Sequence, residues 1–303
     1  MLYLTALQEG LLYGLLALGV YISLRILDIP DLTTEGSFGF GSALAALVAS
    51  KGHSVLSILA AFAGGVLAGL ITGLFQTKLH VHPVLAGIIT MSGLYSVNLI
   101  VRGGPNLPIS ASNIFKNLYA ALGITGDNRK VAGAVISGIL CLVIAVLIIL
   151  FFKTHIGLCI RATGDNQDMV RASSINVDST MIIGLCLSNG LIAVSGALIT
   201  HYVGYSDTST SNGTLIYGLA AVIIGEALFG KRNVTLGILT SVLGSIIYKI
   251  IVTFVVDIEL FGENSANLMK LMCAVIVAAT FIIPALKNYA ENRKVKKEAR
   301  KNA

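Results

Sequence analysis

The chain has 303 residues, 55% of them hydrophobic and 12% charged, with a formal net charge of +6. A soluble domain carries roughly 25% charged residues, so the polar surface is too small to cover a water-soluble globule of this length. Composition therefore excludes a soluble globular protein, and lipid is the expected solvent.

In chain order, apolar runs between polar breaks fall at about 3–24, 36–50, 55–77, 83–102, 131–152, 181–202, 214–229, 234–256 and 268–287. Runs of about 20 apolar residues cross roughly 30 Å of hydrocarbon as helix, and a lipid-exposed chain must close its backbone hydrogen bonds internally. The fold class is an all-α polytopic membrane protein with about nine transmembrane segments. One transmembrane domain spans 1–287, and a basic tail occupies 288–303. The second and seventh segments are short and glycine-rich, which marks them as candidates for broken or partial spans. The N-terminus has no basic n-region and no small-residue cleavage site, so no removable signal peptide is expected.

The first segment opens with "QEGLLYGLLALG" and carries Glu9 within it. Ionisable residues inside spans are costly and often functional; Glu9 fits either a headgroup-level site or a packed contact beside a pathway. The break "IPDLTTEGSFGFG" follows, with Pro30, Asp31, Thr33, Thr34, Glu35 and three glycines. Irregular backbone at membrane depth is tolerated only inside protein or along an aqueous cavity. These residues are the leading pathway or gate candidates, the alternative being an ordinary loop before a capped helix. Gly65, Gly69 and Gly73 repeat at fours, as do Gly10 and Gly14, and such stripes let helices approach closely. His80 and His82 are too few for a metal site and read as a loop pair. Asn98 and Asn189 can hydrogen-bond between helices. "ASNIFKNLYAALG" from Ala111 has apolar residues at fours and suits a short helix, lying on the membrane or facing a soluble partner. Lys249 can snorkel to the interface. Glu226 suggests an ion pair with Lys231 or Arg232. The four cysteines, Cys141, Cys159, Cys186 and Cys273, are scattered and read as core residues without a disulfide or metal pattern.

Orientation follows from the basic tail, which has seven Lys/Arg against two Glu from Lys287 onward and belongs on the cytoplasmic side. Counting back places 153–180 inside and 103–130, 203–213 and 257–267 outside; nine full spans put the N-terminus outside. Inside loops and tail then hold 14 Lys/Arg and outside loops 5.

Two stretches echo each other. "QEGLLYGLLALG" precedes "DLTTEGSFGFGSALAA", and "SNGLIAVSGAL" precedes "DTSTSNGTLIYGLAA". Each pairs a polar dipeptide opening a Gly-Leu helix with an Asp/Thr/Ser-rich break ending in Gly. An inverted repeat, widespread among transporters, accounts for the echo, as does chance among Gly/Ala/Leu-rich sequences. In the repeat, Glu9 matches Asn189.

"RATGDNQDMVRASSINV" from Arg161 is a short, charged, helix-competent segment flanked by long apolar stretches. Asp165 is expected to cap a helix, with Asp168 three residues on. Met169, Ala172 and Ile175 then form an apolar stripe, with Asp168 and Arg171 beside it. Asp178 and Ser179 are expected to cap the next span. Such a helix either lies across the cytoplasmic mouth as an interfacial element or docks in a groove of a soluble partner.

"GLCIRATGDNQDMVRASSINVDSTMIIGLCLSNGLIAVSGAL", "GLLYGLLALGVYISLRILDIPDLTTEGSFGFGSALAAL" and "GLAAVIIGEALFG" together resemble permease subunits of bacterial ABC importers. The group is that of the branched-chain amino acid and ribose permeases, nearest the subgroup for tryptophan- or tyrosine-type solutes, and the likeness covers nearly the whole chain. It implies a type II-like importer permease in the bacterial inner membrane with a cytoplasmic C-terminus. It also implies a second permease copy, two cytoplasmic ATPase subunits and an extracellular solute-binding lipoprotein, with membrane lipid around the chain and no nucleic acid. By that resemblance, Asp165, Asn166, Asp168, Met169, Arg171, Ala172 and Ile175 would form the coupling helix that docks the ATPase.

The near-phosphate-loop "GEALFGKR" has Arg232 where Mg²⁺ binding needs Ser or Thr, and it follows an apolar span instead of a strand. It reads as a helix end. The chain is thus expected to bind no cofactor, with ATP used by the partners. An ion-coupled secondary transporter with inverted repeats is the alternative, opposed by the shortage of acidic residues within spans. A membrane-embedded enzyme would need a His/Asp/Glu cluster on neighbouring faces, and the sequence offers none.

Overall fold

The computed structural model describes residues 2–109, 111–124, 126, 128–230 and 233–257, together with 275 and 278. The predicted segment at 268–287, apart from residues 275 and 278, and the tail at 288–303 lie outside the described residues. The other eight predicted segments are all helices.

The first is α1, Leu2–Tyr21, which continues through a π-helical turn at Ile22–Ile26. Then come α2 (Thr34–Ser50), α3 (Ser54–Thr77) and α4 (Pro83–Arg102). Pro83 sits at the start of α4, where its missing N–H costs nothing, and Gly103 closes that helix with φ 71°. A short amphipathic helix, α5 (Ile114–Ala121), is capped by Asn113, whose side chain accepts from Phe115 N and Lys116 N. Next are α6 (Asn128–Lys153), α7 (His155–Asp165), α8 (Gln167–Ala172), α9 (Val177–Val203), α10 (Thr214–Phe229) and α11 (Val234–Asp257). Two three-residue strands, β1 (Asn106–Pro108) and β2 (Tyr205–Asp207), pair antiparallel, Asn106 opposite Asp207. They are a small departure from the all-α expectation.

Among the described residues seven helices are long and apolar enough to cross a membrane: Leu2–Ile26, Ser54–Thr77, Pro83–Arg102, Asn128–Lys153, Val177–Val203, Ser209–Phe229 and Val234–Phe254. The predicted second segment, α2, has 17 residues, about 25 Å of helix at 1.5 Å per residue, so it falls short of a full span. Seven of the nine expected spans are therefore seen among the described residues. One segment is too short and another lies outside the described residues.

The bundle is built around α9. Ser188 and Ser195 hydroxyls donate to Gly19 O (2.8 Å) and Leu12 O (2.9 Å), so α1 runs antiparallel to α9. On its other side, Ser37 bonds Asn189 and Thr200 bonds Ser42, so α2 runs parallel to it. The predicted glycine stripe of α3 packs on α9: a Cβ on Gly65 would lie 2.3 Å from Asn189 O, and one on Gly69 2.4 Å from Leu185 O. Only a missing side chain permits this backbone approach. Gly10 and Gly14 do the same for α1 against Ile246 and Val242 of α11. By such contacts α1, α3, α6 and α10 run one way and α2, α4, α9 and α11 the other. The core comprises Leu12, Leu15, Leu16, Leu18, Phe38, Leu185, Ile192 and Leu198, all nearly inaccessible. Apolar side chains such as Ile100, Val135, Ile139 and Leu142 cover the outside of α4 and α6, as a lipid-facing surface requires.

Candidate functional site: a buried polar break and an exposed docking turn

The break after α1 leaves helical geometry at Leu27, passes Asp28 with φ 55°, and re-enters helix at Thr34. A positive φ at a non-glycine residue is strained and persists only where its surroundings hold it. Here the hold is a polar network. Asp31, 4% exposed, accepts from Thr33 N at 2.8 Å and from Asn189 Nδ2 at 2.7 Å. Asn189 Oδ1 accepts from Ser37 Oγ at 2.6 Å. Thr34 Oγ1 donates to Asp31 O, and Thr33 and Thr72 share a hydroxyl contact of 2.9 Å. Because Asn189 stands at the middle of the 27-residue α9, this irregular backbone lies deep in the bundle, inside protein.

Glu35 links this break to a second one. Its Oε1 accepts from Gly213 N at 2.8 Å, and Gly213 is the N-cap of α10 with φ 88°. The carboxylate thus lies in the first turn of α2 and against the start of α10, where helix dipoles favour a negative charge. Asn98 donates to Gly36 O at 3.2 Å, and its Oδ1 is buried without a hydrogen-bond partner among the described residues. Asp31, Thr33, Thr34, Glu35, Asn98 and Asn189 therefore gather around the start of α2. Glu9 is elsewhere.

Glu9 pairs with Lys249 of α11 at 2.5 Å, and that ammonium also stands 5.6 Å from the Tyr13 ring centre. Tyr13, Tyr217 and Tyr248 follow one another in contact, tilted by 33° at 4.6 Å and then edge-to-face at 4.7 Å. The match of Glu9 with Asn189 does not make them neighbours, and Lys249, expected to snorkel, is an ion-pair partner. Likewise Glu226 binds Arg25 at 2.5 Å, whereas Lys231 and Arg232 lie outside the described residues.

Sequence reasoning missed Arg102. It ends α4 at 4% exposure and donates to Ser206 Oγ (2.8 Å), Thr208 Oγ1 (3.0 Å) and Gly39 O (3.2 Å). A lone Arg at the close of an apolar run looks like a stop signal, and only the fold shows that two loop hydroxyls and a backbone carbonyl surround it. Asp207 lies close by; its bond from Ser209, helped by the Arg102 charge, holds its carboxyl below the usual carboxylate range.

At the opposite end, the charged insert forms two helices instead of one. Asn166, with φ −161°, breaks α7 from α8 and caps α8 by accepting from Met169 N at 3.0 Å. The cap is thus Asn166, and Asp165 is the last residue of α7. An asparagine with extended backbone matches a cap's geometry. α8 spans six residues only, so Ile175 falls beyond it in the turn to α9. Met169 (54% exposed) and Ala172 face outward, and the neighbouring Asp168 and Arg171 are 4.0 Å from each other. Val170, 1% exposed, fixes α8 to the bundle. The cap of α9 is Asn176, which accepts from Ser179 N, in place of Asp178 or Ser179. Asp178 instead binds Lys78 at the end of α3, at 2.9 Å.

α7 touches the break directly. A Cβ on Gly164 would lie 1.8 Å from Ile26 O, and α9 meets the same turn, where a Cβ on its Gly184 would lie 2.7 Å from a Leu27 methyl. The end of α7, the π-helical turn and the polar break are therefore consecutive in space.

A sequence profile described as "Branched-chain amino acid transport system / permease component" matches residues 2–282. The chain is 34% identical over 277 residues to a tyrosine transport system permease protein of Clostridioides difficile, covering 91% of this chain and 89% of that one. It is 24% identical to the ribose import permease protein of Escherichia coli K12, over 91% of this chain and 83% of the relative. Among solved structures, PsaBC from Streptococcus pneumoniae in complex with Fab superposes with a TM-score of 0.53 at 15% identity, covering 91% of this chain and 89% of that chain, a likeness of fold. The chain belongs to the branched-chain amino acid transport system permease family and is a multi-pass membrane permease subunit of an ABC transporter.

Proposed function

We propose that the protein is the permease of an importer that moves a small polar solute, an aromatic amino acid or a close analogue, into the cell. A second copy completes the pathway, two cytoplasmic ATPase subunits dock at α8, and an extracellular lipoprotein delivers the cargo. The cargo class rests on the tyrosine permease relative. The observation that carries the docking assignment is the pairing of a buried anchor, Val170, with an outward Met169 and Ala172 on one short capped helix. An interfacial helix would bury its apolar side chain in lipid beside a span. Here the exposed Met169 is flanked by Asp168 and Arg171, the mixture of ridge and rim that suits a groove on a soluble partner.

The breaks at 27–33 and 204–213 form the gate between two halves of an inverted repeat. α2 and α10 run oppositely and meet at Glu35 and Gly213, which supports that reading. Movement of the docked ATPase pair pushes α7 against Ile26 and so reaches Asp31. A further crossing segment at 268–287 and a cytoplasmic tail complete the topology.

The test is co-purification of the ATPase encoded beside this gene, with uptake of labelled tyrosine in the same cells. Wild type is expected to retain the ATPase, and Met169→Asp combined with Arg171→Glu to lose it while staying folded and in the membrane. Retention of the ATPase by that variant would remove α8 as the docking element. Coupled uptake of a sugar but not of tyrosine would remove the cargo assignment alone.

A further inference from the structure

Two clefts adjoin at the end of the bundle opposite α7 and α8, and the proposed function uses neither. One, about 570 Å³, is lined by Leu122, Val131, Val135, Ile136 and Ile139. The other, about 400 Å³, is lined by Lys116, Tyr119 and Arg129, and the two share Gly123 and Ile124. The first follows the face of α6 from the point where its apolar run begins, directly after Lys130. The second opens at the level of that basic end, where a membrane's headgroups lie.

The basic rim is held in place. Gly123, with φ 66°, turns the chain so that Ile124 N donates to Tyr119 O at 3.0 Å. Ile124 O in turn accepts from Arg129 Nε at 3.4 Å. This leaves the remaining guanidinium donors of Arg129 free on the same cleft that Lys116 lines, and among the described residues neither cation has an ion-pair partner. An apolar trough running along a span into a pocket with two cations, Arg129 held by Ile124 O and Lys116 beside it, complements one kind of molecule. It must carry an acyl chain and an anionic phosphate head.

We propose that this composite cleft is a binding site for an anionic phospholipid, its phosphate on Lys116 and Arg129 and one acyl chain along Val131, Val135 and Ile139. Arginine and lysine differ in the fork and point-charge geometries they offer a phosphate, and the pair suits one phosphodiester better than a second protein surface.

The experiment is native mass spectrometry of the full chain purified in mild detergent, then loaded with phosphatidylglycerol or phosphatidylcholine of matched acyl chains. Wild type is expected to retain phosphatidylglycerol in preference to phosphatidylcholine. Each cation near the surface contributes about a factor of five to anionic-lipid affinity, so Lys116→Gln with Arg129→Gln is expected to weaken retention about thirtyfold. Lys116→Arg with Arg129→Lys is expected to preserve it. Val135→Phe, which fills the trough without touching charge, is expected to lower retention of phosphatidylglycerol. Inorganic phosphate added in excess separates the two sources of the anion. Displacement of the lipid by phosphate alone would reduce the site to a free-phosphate pocket and overturn the lipid assignment. Equal retention of both lipids, or retention unchanged in the double Gln variant, would overturn it as well.

Discussion

Asn189 Nδ2 donates to Asp31 Oδ2 at 2.7 Å, joining the middle of α9 to the break between α1 and α2 across 158 residues of sequence. Both groups are almost wholly buried, so each needs its partner: hydrogen bonds to charged groups contribute about 1.5–3 kcal/mol, and an orphaned buried one costs at least as much. Asn189→Leu is expected to destabilise the protein by about 2–3 kcal/mol, and Asp31→Asn by less, because an amide oxygen still accepts from Asn189. When Asn189→Leu is already present, adding Asp31→Asn is expected to recover part of the loss. A double-mutant cycle on thermal unfolding in detergent measures this, and additivity within about 0.5 kcal/mol would show that the two residues do not interact.

The Glu9–Lys249 pair tests the same physics at the other end of α1. Both side chains are less than a third exposed, at 28% and 23%, so removing one partner leaves a charge poorly solvated inside the bundle. Glu9→Gln and Lys249→Met are each expected to lower stability, and the double variant to be more stable than their sum by about 1–3 kcal/mol. Unfolding midpoints of the four proteins decide it. Singles that add up would show the pair to be a surface contact without coupling.

Which parts of this were legible in the sequence follows from what each signal physically encodes. Apolar run length marks helices in lipid well, because backbone satisfaction leaves the chain few alternatives; the eight described segments were placed within a few residues. The glycine stripe at Gly65 and Gly69 was readable for the same reason, since periodicity survives translation into a packed face. Partner choice was not. Nothing local says that Lys249 meets Glu9, that Arg25 of the turn after α1 meets Glu226, or that Arg102 is enclosed by Ser206 and Thr208. Those pairings join distant residues and exist only once helices have packed. The cap of α8 failed differently: Asp165 and Asn166 are both good caps, and the choice fell to Asn166 because α7 extends through Asp165.

Arg102 shows how specific its enclosure is. Its Nε and both terminal nitrogens each serve a different acceptor, and a lysine ammonium is a point charge that cannot reproduce that fork. Arg102→Lys is expected to lose about 1.5–3 kcal/mol, nearly as much as Arg102→Ala. Thermal unfolding in detergent gives the comparison. A lysine variant as stable as wild type would mean that charge alone is required there.

Gly164 is the contact through which α7 bears on the π-helical turn. With Ala at this position the new methyl would stand 1.8 Å from Ile26 O, so one of the two backbones must move. Overpacking of this kind typically costs about 1–3 kcal/mol. Beyond stability, α7 would be held away from the turn that leads to Asp31. In a complex reconstituted with its ATPase, Gly164→Ala is expected to keep ATP hydrolysis and to lose most solute uptake per ATP. Uptake and hydrolysis falling together would indicate a folding defect, and unchanged uptake would show that the signal takes another route.

Val170 and Met169 are adjacent in α8 yet 1% and 54% exposed, so one substitution applied to each separates anchoring from docking. Val170→Asp buries a carboxylate with no partner, which a packed interior does not accommodate without large cost, and α8 is expected to detach with loss of folded protein. Met169→Asp meets only solvent in the isolated subunit and is expected to leave stability within about 0.5 kcal/mol. If Met169 enters an ATPase groove, its Asp variant must desolvate a charge there, and the subunit should still fold while failing to retain the ATPase. The paired readout is the unfolding midpoint of the permease alone beside the amount of ATPase it retains. A Met169→Asp protein that keeps both would remove Met169 from the docking surface.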